Sequence, residues 1–278
     1  MILTIAGFDP SCGAGIAADL KTFAAHDCYG VAAITALTVQ NTQGVHGVHP
    51  VGPTVLRECL ESVMTDCAVR AIKIGMLGNR ANAGVVAEFL EEHPAVPSIL
   101  DPILRSSGGT PLIDPRGFEF LQSHLLRRVT LITPNLDEAA ALTGQKVGSV
   151  EEMKSAAHRL GEMGAPAVVV TGGHPGHAEK AVDIYLDGEG LESFIGDRFK
   201  PGNTHGTGCT FSSAVAANIA LGRQLRDAVM LAKAYVAESI KKAYATGTGR
   251  LPLNHFFRMY ESSRLADHTP SLSEVSSS

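Results

Sequence analysis

"ILTIAGFDPSCGAGIAADLKTFAA", residues 2–25, carries the signal that decides the fold. Its first stretch, Ile2 to Ala6, is almost continuously apolar and reads as a buried strand. The strand runs into a glycine-rich loop, Gly7 to Gly13. From Ala14 to Ala25 the apolar residues Ile16, Leu20 and Phe23 recur at helical spacing. This is one strand–loop–helix unit, and the pattern repeats downstream. "VAAITALTV", "AIKIGML", "SILDP", "VTLITPN" and "AVVVTGG" read as strands. "PTVLRECLESVMTD", residues 81–91, "SVEEMKSAAHRLGEMG" and residues 228–243 read as helices. Pro53 suits a first helical turn, and Ser149 with Glu152 has the spacing of a capping box. "AVDIYLDGEGLESFIG" reads as a hairpin turning near Asp187-Gly188-Glu189-Gly190. Strands that are apolar throughout, alternating with helices, imply a mainly parallel sheet covered on both faces.

The bulk composition is that of a globular chain. It has 278 residues, 45% hydrophobic and 18% charged, with a net charge of −5. No broad basic surface follows from that balance, which argues against nucleic acid as a partner. No apolar run approaches the roughly 20 residues that span a bilayer. The five cysteines form no C-x-x-C pair and no zinc-spaced set, so reduced thiols in a cytoplasmic protein are expected. Nothing marks an internal boundary. The expected organisation is one domain over residues 1–261 and a polar, Ser-rich, disordered tail over 262–278.

In such sheets ligands bind beyond the carboxyl ends of the strands. The strand ends supply Gly7, Asp9 and Ser11, then Gln40 and Asn41, then Gly75 and Met76. Later ends supply Asp101, then Asn135 with Glu138, then Thr171, Gly172 and Gly173. Loops are polar in any case, so it is the joint pattern that points to a site. In "NTHGTGCTFSSAVAANIA", residues 203–220, a Gly206-Thr207-Gly208 turn feeds an Ala-rich helix with Cys209 at its start. Free N–H groups and the helix dipole would favour an anion there. A thiol in that field should have a lowered pKa and serve as base or nucleophile; alternatively it is a small buried filler. Asp19 falls on the apolar side of its helix. It is either satisfied by loop N–H groups or holds a ligand hydroxyl, and the spacing favours the ligand. Asn135 and Glu138 share one face of a first helical turn, where they either orient waters around Mg²⁺ or simply cap the helix.

The familiar nucleotide and hydrolase motifs are missing. There is no G-x-x-x-x-G-K-[ST], no G-x-G-x-x-G, no G-x-S-x-G and no H-E-x-x-H. Instead "AGFDPSCGAGIAADLKTFAAHDCYGVAAITALTVQNTQGV", "IKIGML", "LDPIL", "TPNLDEAAALTG", "GGH", "NTHGTGCTFSSAVAA" and "LPLNHFF" follow one another. Together they resemble the ribokinase-like superfamily, and within it the hydroxymethylpyrimidine/phosphomethylpyrimidine kinases of thiamine biosynthesis. The resemblance extends to about Tyr260. It implies an α/β/α three-layer sandwich with a mainly parallel central sheet, commonly a homodimer. It also implies two successive phosphorylations of a pyrimidine alcohol with ATP and Mg²⁺, K⁺ being a further candidate cation.

On matching positions, the resemblance puts Gln40 against the pyrimidine ring, with Gly7, Asp19 and Met76 lining its pocket. It makes Gly206, Thr207 and Gly208 the hole for the transferred phosphoryl group, and Cys209 the base of the first step. It assigns Asp101, Asn135, Thr171, Gly173 and Lys233 to the nucleotide side, and Glu138 with Asp101 to the metal. Thr171 replaces a lysine usual in the family, which Arg105 would offset. Phe8 stands where a small hydroxyl residue is usual, and Cys12 where glycine or serine is. A pyridoxal or pyridoxine kinase, or an enzyme of both kinds, is the alternative reading. A pyrimidine sensor that has lost phosphoryl transfer is a third.

Overall fold

A computed structural model describes residues 1–172, 180–199 and 204–260. Gly173 and the proposed tail lie outside these. The chain begins with β1 (Ile2–Phe8), α1 (Gly15–Ala24), β2 (Gly30–Asn41) and β3 (Gly44–Pro50). It continues with α2 (Pro53–Asp66), β4 (Ala71–Ile74), α3 (Arg80–Glu92), β5 (Ser98–Leu100), α4 (Pro115–Phe120) and β6 (Leu131–Ile132). Next come α5 (Leu136–Thr143), α6 (Val150–Glu162), β7 (Val168–Gly172), β8 (Lys180–Asp187) and β9 (Gly190–Asp197). The last elements are β10 (Thr204–His205), α7 (Thr207–Ala220), α8 (Leu225–Lys241), β11 (Leu251–Pro252) and α9 (Phe257–Tyr260).

Nine strands form one sheet in the order β3-β2-β1-β4-β5-β6-β7-β8-β9. The pairings from β2 through β7 are parallel, and β3, β8 and β9 join antiparallel at the two edges. After β1 the chain first builds outward to β2 and β3, then crosses to β4 on the other side. The switch point therefore lies between β1 and β4, where a crevice opens beyond the strand ends.

Two hydrophobic cores cover the two faces. Helices α2 to α6 pack on one through Leu56, Leu60, Val86, Phe89, Leu142 and Met153. Helices α1, α7 and α8 pack on the other, with Phe23, Val215, Val229 and Tyr235. Helix α7 is buried almost all round, which explains its alanines and serines: a helix wedged between sheet, α1 and α8 has room only for small side chains. The layers are the expected α/β/α, with a ribokinase-like topology.

Several elements escape the sequence reading, among them β3 and α4. The strand β3, "GVHGVHP", repeats Gly-Val-His on a half-exposed edge, so its valines fall three apart and show no strand period of two. Helix α4 has only six residues, although Asp114 caps it and Pro115 occupies its first turn. The β2–β3 turn is braced by the segment before β11. Arg250 N donates to Thr42 O at 2.7 Å, and the Arg250 guanidinium to Ser107 O at 2.7 Å. Strand β11 in turn pairs with β10, so one short segment ties the edge hairpin to the turn before α7.

Candidate active site

A cleft of about 1660 Å³ runs along the carboxyl ends of the strands. Gly7, Gln40, Met76, Asp101, Asn135, Glu138, Thr171, Gly206, Thr207, Gly208, Cys209 and Lys233 all line it. Residues far apart in sequence thus meet because most of them follow, or end, a neighbouring strand, while Lys233 reaches the cleft from inside α8.

The turn before α7 is set by backbone contact. Gly206 is left-handed at φ 86°, and a Cβ there would run into the carbonyl oxygen of Gly13. Only glycine lets the turn seat against the loop after β1. No side chain caps α7, so its first N–H groups are not consumed by a capping residue. A Cβ on Gly208 would stand 3.6 Å from Asp101 Oδ1, which places the turn over that carboxylate.

Cys209 departs from the lowered pKa expected of it. Burial pushes the thiol up, the charges of Asp101 and Asp19 push the same way, and Lys73 opposes them only in part. The thiol sits beside Asp101, and the nearby Gly15 backbone N–H opposes part of the rise. The helix field is real, but desolvation of a 6%-exposed sulfur outweighs it. Asp101 itself is pushed up to about 6 by burial, against the pull of Lys73. Glu138 is raised well above the usual range by burial and by the charge of Asp101.

Asn135 and Glu138 form a reciprocal capping box at α5. Asn135 Oδ1 accepts from Glu138 N at 2.9 Å, and Glu138 Oε2 accepts from Asn135 N at 2.9 Å. The capping reading is therefore what the fold uses. It does not remove Glu138 from the cleft, since a carboxylate has lone pairs to spare. The charge of Asp101 raises the proton affinity of Glu138, and a hard cation beside the two carboxylates would offset that repulsion. The donor set thus fits Mg²⁺.

Asp19 overturns the expectation of a ligand contact. It is fully buried and does not line the cleft. Its carboxylate pairs with Lys73 Nζ at 3.0 Å and accepts from Thr4 Oγ1 at 2.6 Å and Ser213 Oγ at 2.7 Å. The apolar-side position was legible. Its partner was not, because Lys73 lies 54 positions further along the chain, on β4, and meets Asp19 only through packing.

Other groups join the site, among them Asp9, which the sequence reading placed only at a strand end, and Asp183 and His205, which it did not single out. Asp9 accepts from Ser11 N, Ser11 Oγ, Gly13 N and Ala14 N, and lies 3.1 Å from His205 Nε2. Burial pushes Asp9 up, but the bonds from His205 and Ser11 outweigh it and hold it below the usual carboxylate range. Asp183 pairs with Lys233 Nζ at 2.7 Å and accepts from Gly172 N at 3.0 Å. Gln40 contacts His205 at 2.9 Å. A Cβ on Gly7 would stand 2.9 Å from Met76 Sδ, so the Met76 side chain lies directly over the Gly7 backbone. A carboxylate before proline and serine was a visible turn signal for Asp9. A lone lysine inside "AIKI" was the visible signal for Lys73.

A family model described as phosphomethylpyrimidine kinase matches residues 9–254. The chain belongs to the phosphomethylpyrimidine kinase family. The matched span takes in every cleft residue named above except Gly7. A hydroxymethylpyrimidine/phosphomethylpyrimidine kinase of Staphylococcus aureus (strain MRSA252) is 39% identical over 255 residues, 91% of this chain and 92% of that protein. A thiamine biosynthesis bifunctional protein, ThiED, of Geobacter sulfurreducens is 41% identical over 254 residues, 91% of this chain and 52% of that protein. Among solved structures, the pyridoxal kinase of Staphylococcus aureus in complex with ADP superposes with a TM-score of 0.85 at 36% identity, covering 95% of this chain and 94% of that one. Among the described residues no helix is long and apolar enough to cross a membrane.

Proposed function

We propose that this phosphomethylpyrimidine kinase family member, acting as one kinase domain over residues 1–261, phosphorylates 4-amino-5-hydroxymethyl-2-methylpyrimidine with ATP, then its monophosphate, in thiamine biosynthesis. The observation that carries this reading is the opening of one cleft onto Gln40, the uncapped Gly206–Cys209 turn and the Asp101–Glu138 pair. Phosphoryl transfer is mostly positioning and charge stabilisation, and these are the parts it needs.

Gln40 and the Gly7–Met76 wall would hold the ring, with Asp19 acting from below through the core rather than by contact. The N–H groups of Thr207, Gly208 and Cys209 would receive the charge of the transferred group, already oriented before reaction. The acceptor alcohol must lose its proton as its oxygen attacks. Cys209 stands at the helix start beside Asp101, so the thiol and carboxylate together would form a path that can accept it. In the second step the nucleophile is an anionic phosphate and needs no base. Lys233, oriented by Asp183, and Thr171 would face the nucleotide phosphates, with Asn135 holding Glu138 in place. Arg105 lines the same cleft and supplies a cation near the region where the family's lysine is replaced by Thr171. Glu138 and Asp101 would hold Mg²⁺, which supplies charge neutralisation to the phosphates when bound. A K⁺ requirement, a homodimer and a cytoplasmic location are further parts of the proposal, and they are read by cation dependence, light scattering and fractionation.

The likeness to a pyridoxal kinase sustains a second reading, in which vitamin B6 alcohols enter the same cleft. A coupled ADP-release assay with hydroxymethylpyrimidine, its monophosphate and pyridoxal, each product identified by mass, separates the readings. Turnover of both pyrimidines is expected. Preference for pyridoxal would replace the proposal with the second reading. Pyrimidine binding without ADP release would replace it with a sensor.

A further inference from the structure

One end of the Gln40 carboxamide, Nε2, lies 2.9 Å from His205 Nε2, and the other, Oε1, lies 3.3 Å from Thr38 Oγ1. Proton counting constrains how the amide must face. Thr38 Oγ1 has one proton and stands 2.9 Å from the Phe8 carbonyl oxygen, which can only accept. Thr38 therefore offers the amide a lone pair. His205 Nε2 has at most one proton and stands 3.1 Å from Asp9 Oδ2. An ionised carboxylate also only accepts, so that nitrogen carries its proton and can offer the amide an N–H alone. The end of Gln40 beside His205 must then be the oxygen, and the end beside Thr38 the NH₂. A half-turn of the amide about its terminal torsion meets both demands at no steric cost, since its two ends differ only in their protons.

The histidine cannot swing away from this task. Its ring packs on the backbone of Gly13, where a Cβ would stand 2.7 Å from His205 Cδ2. Asp9 is in turn fixed by Ser11, Gly13 and Ala14. We propose that His205, anchored by Asp9, is a positioning residue that fixes the Gln40 amide with its oxygen toward His205, and thereby sets the ring preference of the cleft. The inference rests on the functional reading above.

With these bonds made, Gln40 retains one N–H and one carbonyl lone pair. A 4-aminopyrimidine offers a ring-nitrogen acceptor and an amino donor on adjacent atoms, complementary to that pair. In pyridoxal a methyl-bearing carbon separates ring nitrogen from phenol oxygen, so one amide cannot engage both. An amide free to flip would lose this discrimination, because half of its orientations set donor against donor.

The test is a cycle in which protein and ligand are each truncated. Calorimetric Kd values are measured for the pyrimidine alcohol and for its analogue lacking the 4-amino group, with wild type, His205→Ala, His205→Gln and Thr38→Val. Loss of the amino group should weaken binding to wild type about tenfold, and to His205→Ala about twofold or less, whereas Thr38→Val, which keeps the His205 N–H, should retain most of the tenfold cost. His205→Gln can donate to Asp9 and Gln40 together and should restore most of the tenfold cost. Equal costs in wild type and His205→Ala would overturn the inference, and neutron diffraction of the wild type that places the Gln40 NH₂ beside His205 would overturn it even if His205→Ala fails to fold. Equal costs with a wild type that turns the alcohol over would overturn the inference alone. Failure of the wild type to bind the alcohol at all would overturn the functional reading and this inference together.

Discussion

In the proposed reaction Cys209 would start as a neutral thiol. Its burial, and the carboxylates beside it, hold the proton on sulfur until a substrate changes the local charge. In the ligand-free protein it should react slowly. Iodoacetamide should modify exposed Cys59 at least about tenfold faster than Cys209, as read by peptide mass spectrometry. Cys209→Ala should lower the first phosphorylation about a hundredfold, the scale of a lost general base, and the second only a few-fold. Equal losses in separately measured kcat values would remove the base role. The Asp19–Lys73 pair is a residue-scale matter of a different kind, since both groups are wholly buried. Lys73→Met should cost about 3–5 kcal/mol in urea unfolding by stranding a buried carboxylate. Adding Asp19→Leu should recover part of that loss, because no unpaired charge then remains.

Helix α5 puts structure and chemistry on the same two side chains. Asn135→Ala should cost about 1 kcal/mol through the lost cap, whatever the metal concentration. Glu138→Gln separates the roles. Burial and Asp101 raise the folded-state pKa of Glu138 above its unfolded value. Such a group favours the fold at pH below its unfolded pKa, and that contribution is lost as pH rises through the folded pKa. A glutamine carries no such penalty and can still accept from Asn135 N. Glu138→Gln should therefore unfold at higher urea than wild type at pH 8, with the gap closing toward pH 4, while its kcat falls at least tenfold. Higher stability with full activity would leave Glu138 a cap and nothing more.

At the scale of the whole molecule, the C-terminal segment is part of the fold that holds the site. His255, 4% exposed, lies 3.0 Å from Thr210 Oγ1, and Thr210 donates to Gly206 O at 2.8 Å, so this contact braces the turn before α7 from behind. Burial lowers the His255 pKa to about 4. A depressed folded-state pKa means stability that is complete above the unfolded value near 6.5 and lost as pH falls toward 4. Wild type should lose about 3 kcal/mol from this group across that window. His255→Gln should flatten that acid limb in urea midpoints measured from pH 7 to pH 4. An unchanged limb would place the acid sensitivity elsewhere.

Much of this was written in the chain itself. Apolar runs closed by glycine or by a polar residue marked β1, β4, β5, β6 and β7, because a parallel strand buried on both faces has no choice but to be apolar. The order of the strand runs placed Gly7, Gln40, Asp101 and Asn135 at strand ends, and so at one edge, while Cys209 was read at the start of a helix. The helices α2 and α6 announced themselves through Pro53 and the Ser149–Glu152 box. What the chain could not declare were relations between residues brought together only by packing. The partner of Asp19 is Lys73, which approaches across the β1–β4 pairing. The orientation of Gln40 depends on His205, 165 positions away. The thiol of Cys209 has a raised pKa because three layers exclude water from it, and a local motif contains the helix dipole but not the depth of burial. Hydrophobic periodicity is a property of neighbouring residues and can be read along one strand. Desolvation and pairwise charge are properties of the assembled interior, and only the tertiary structure decides them.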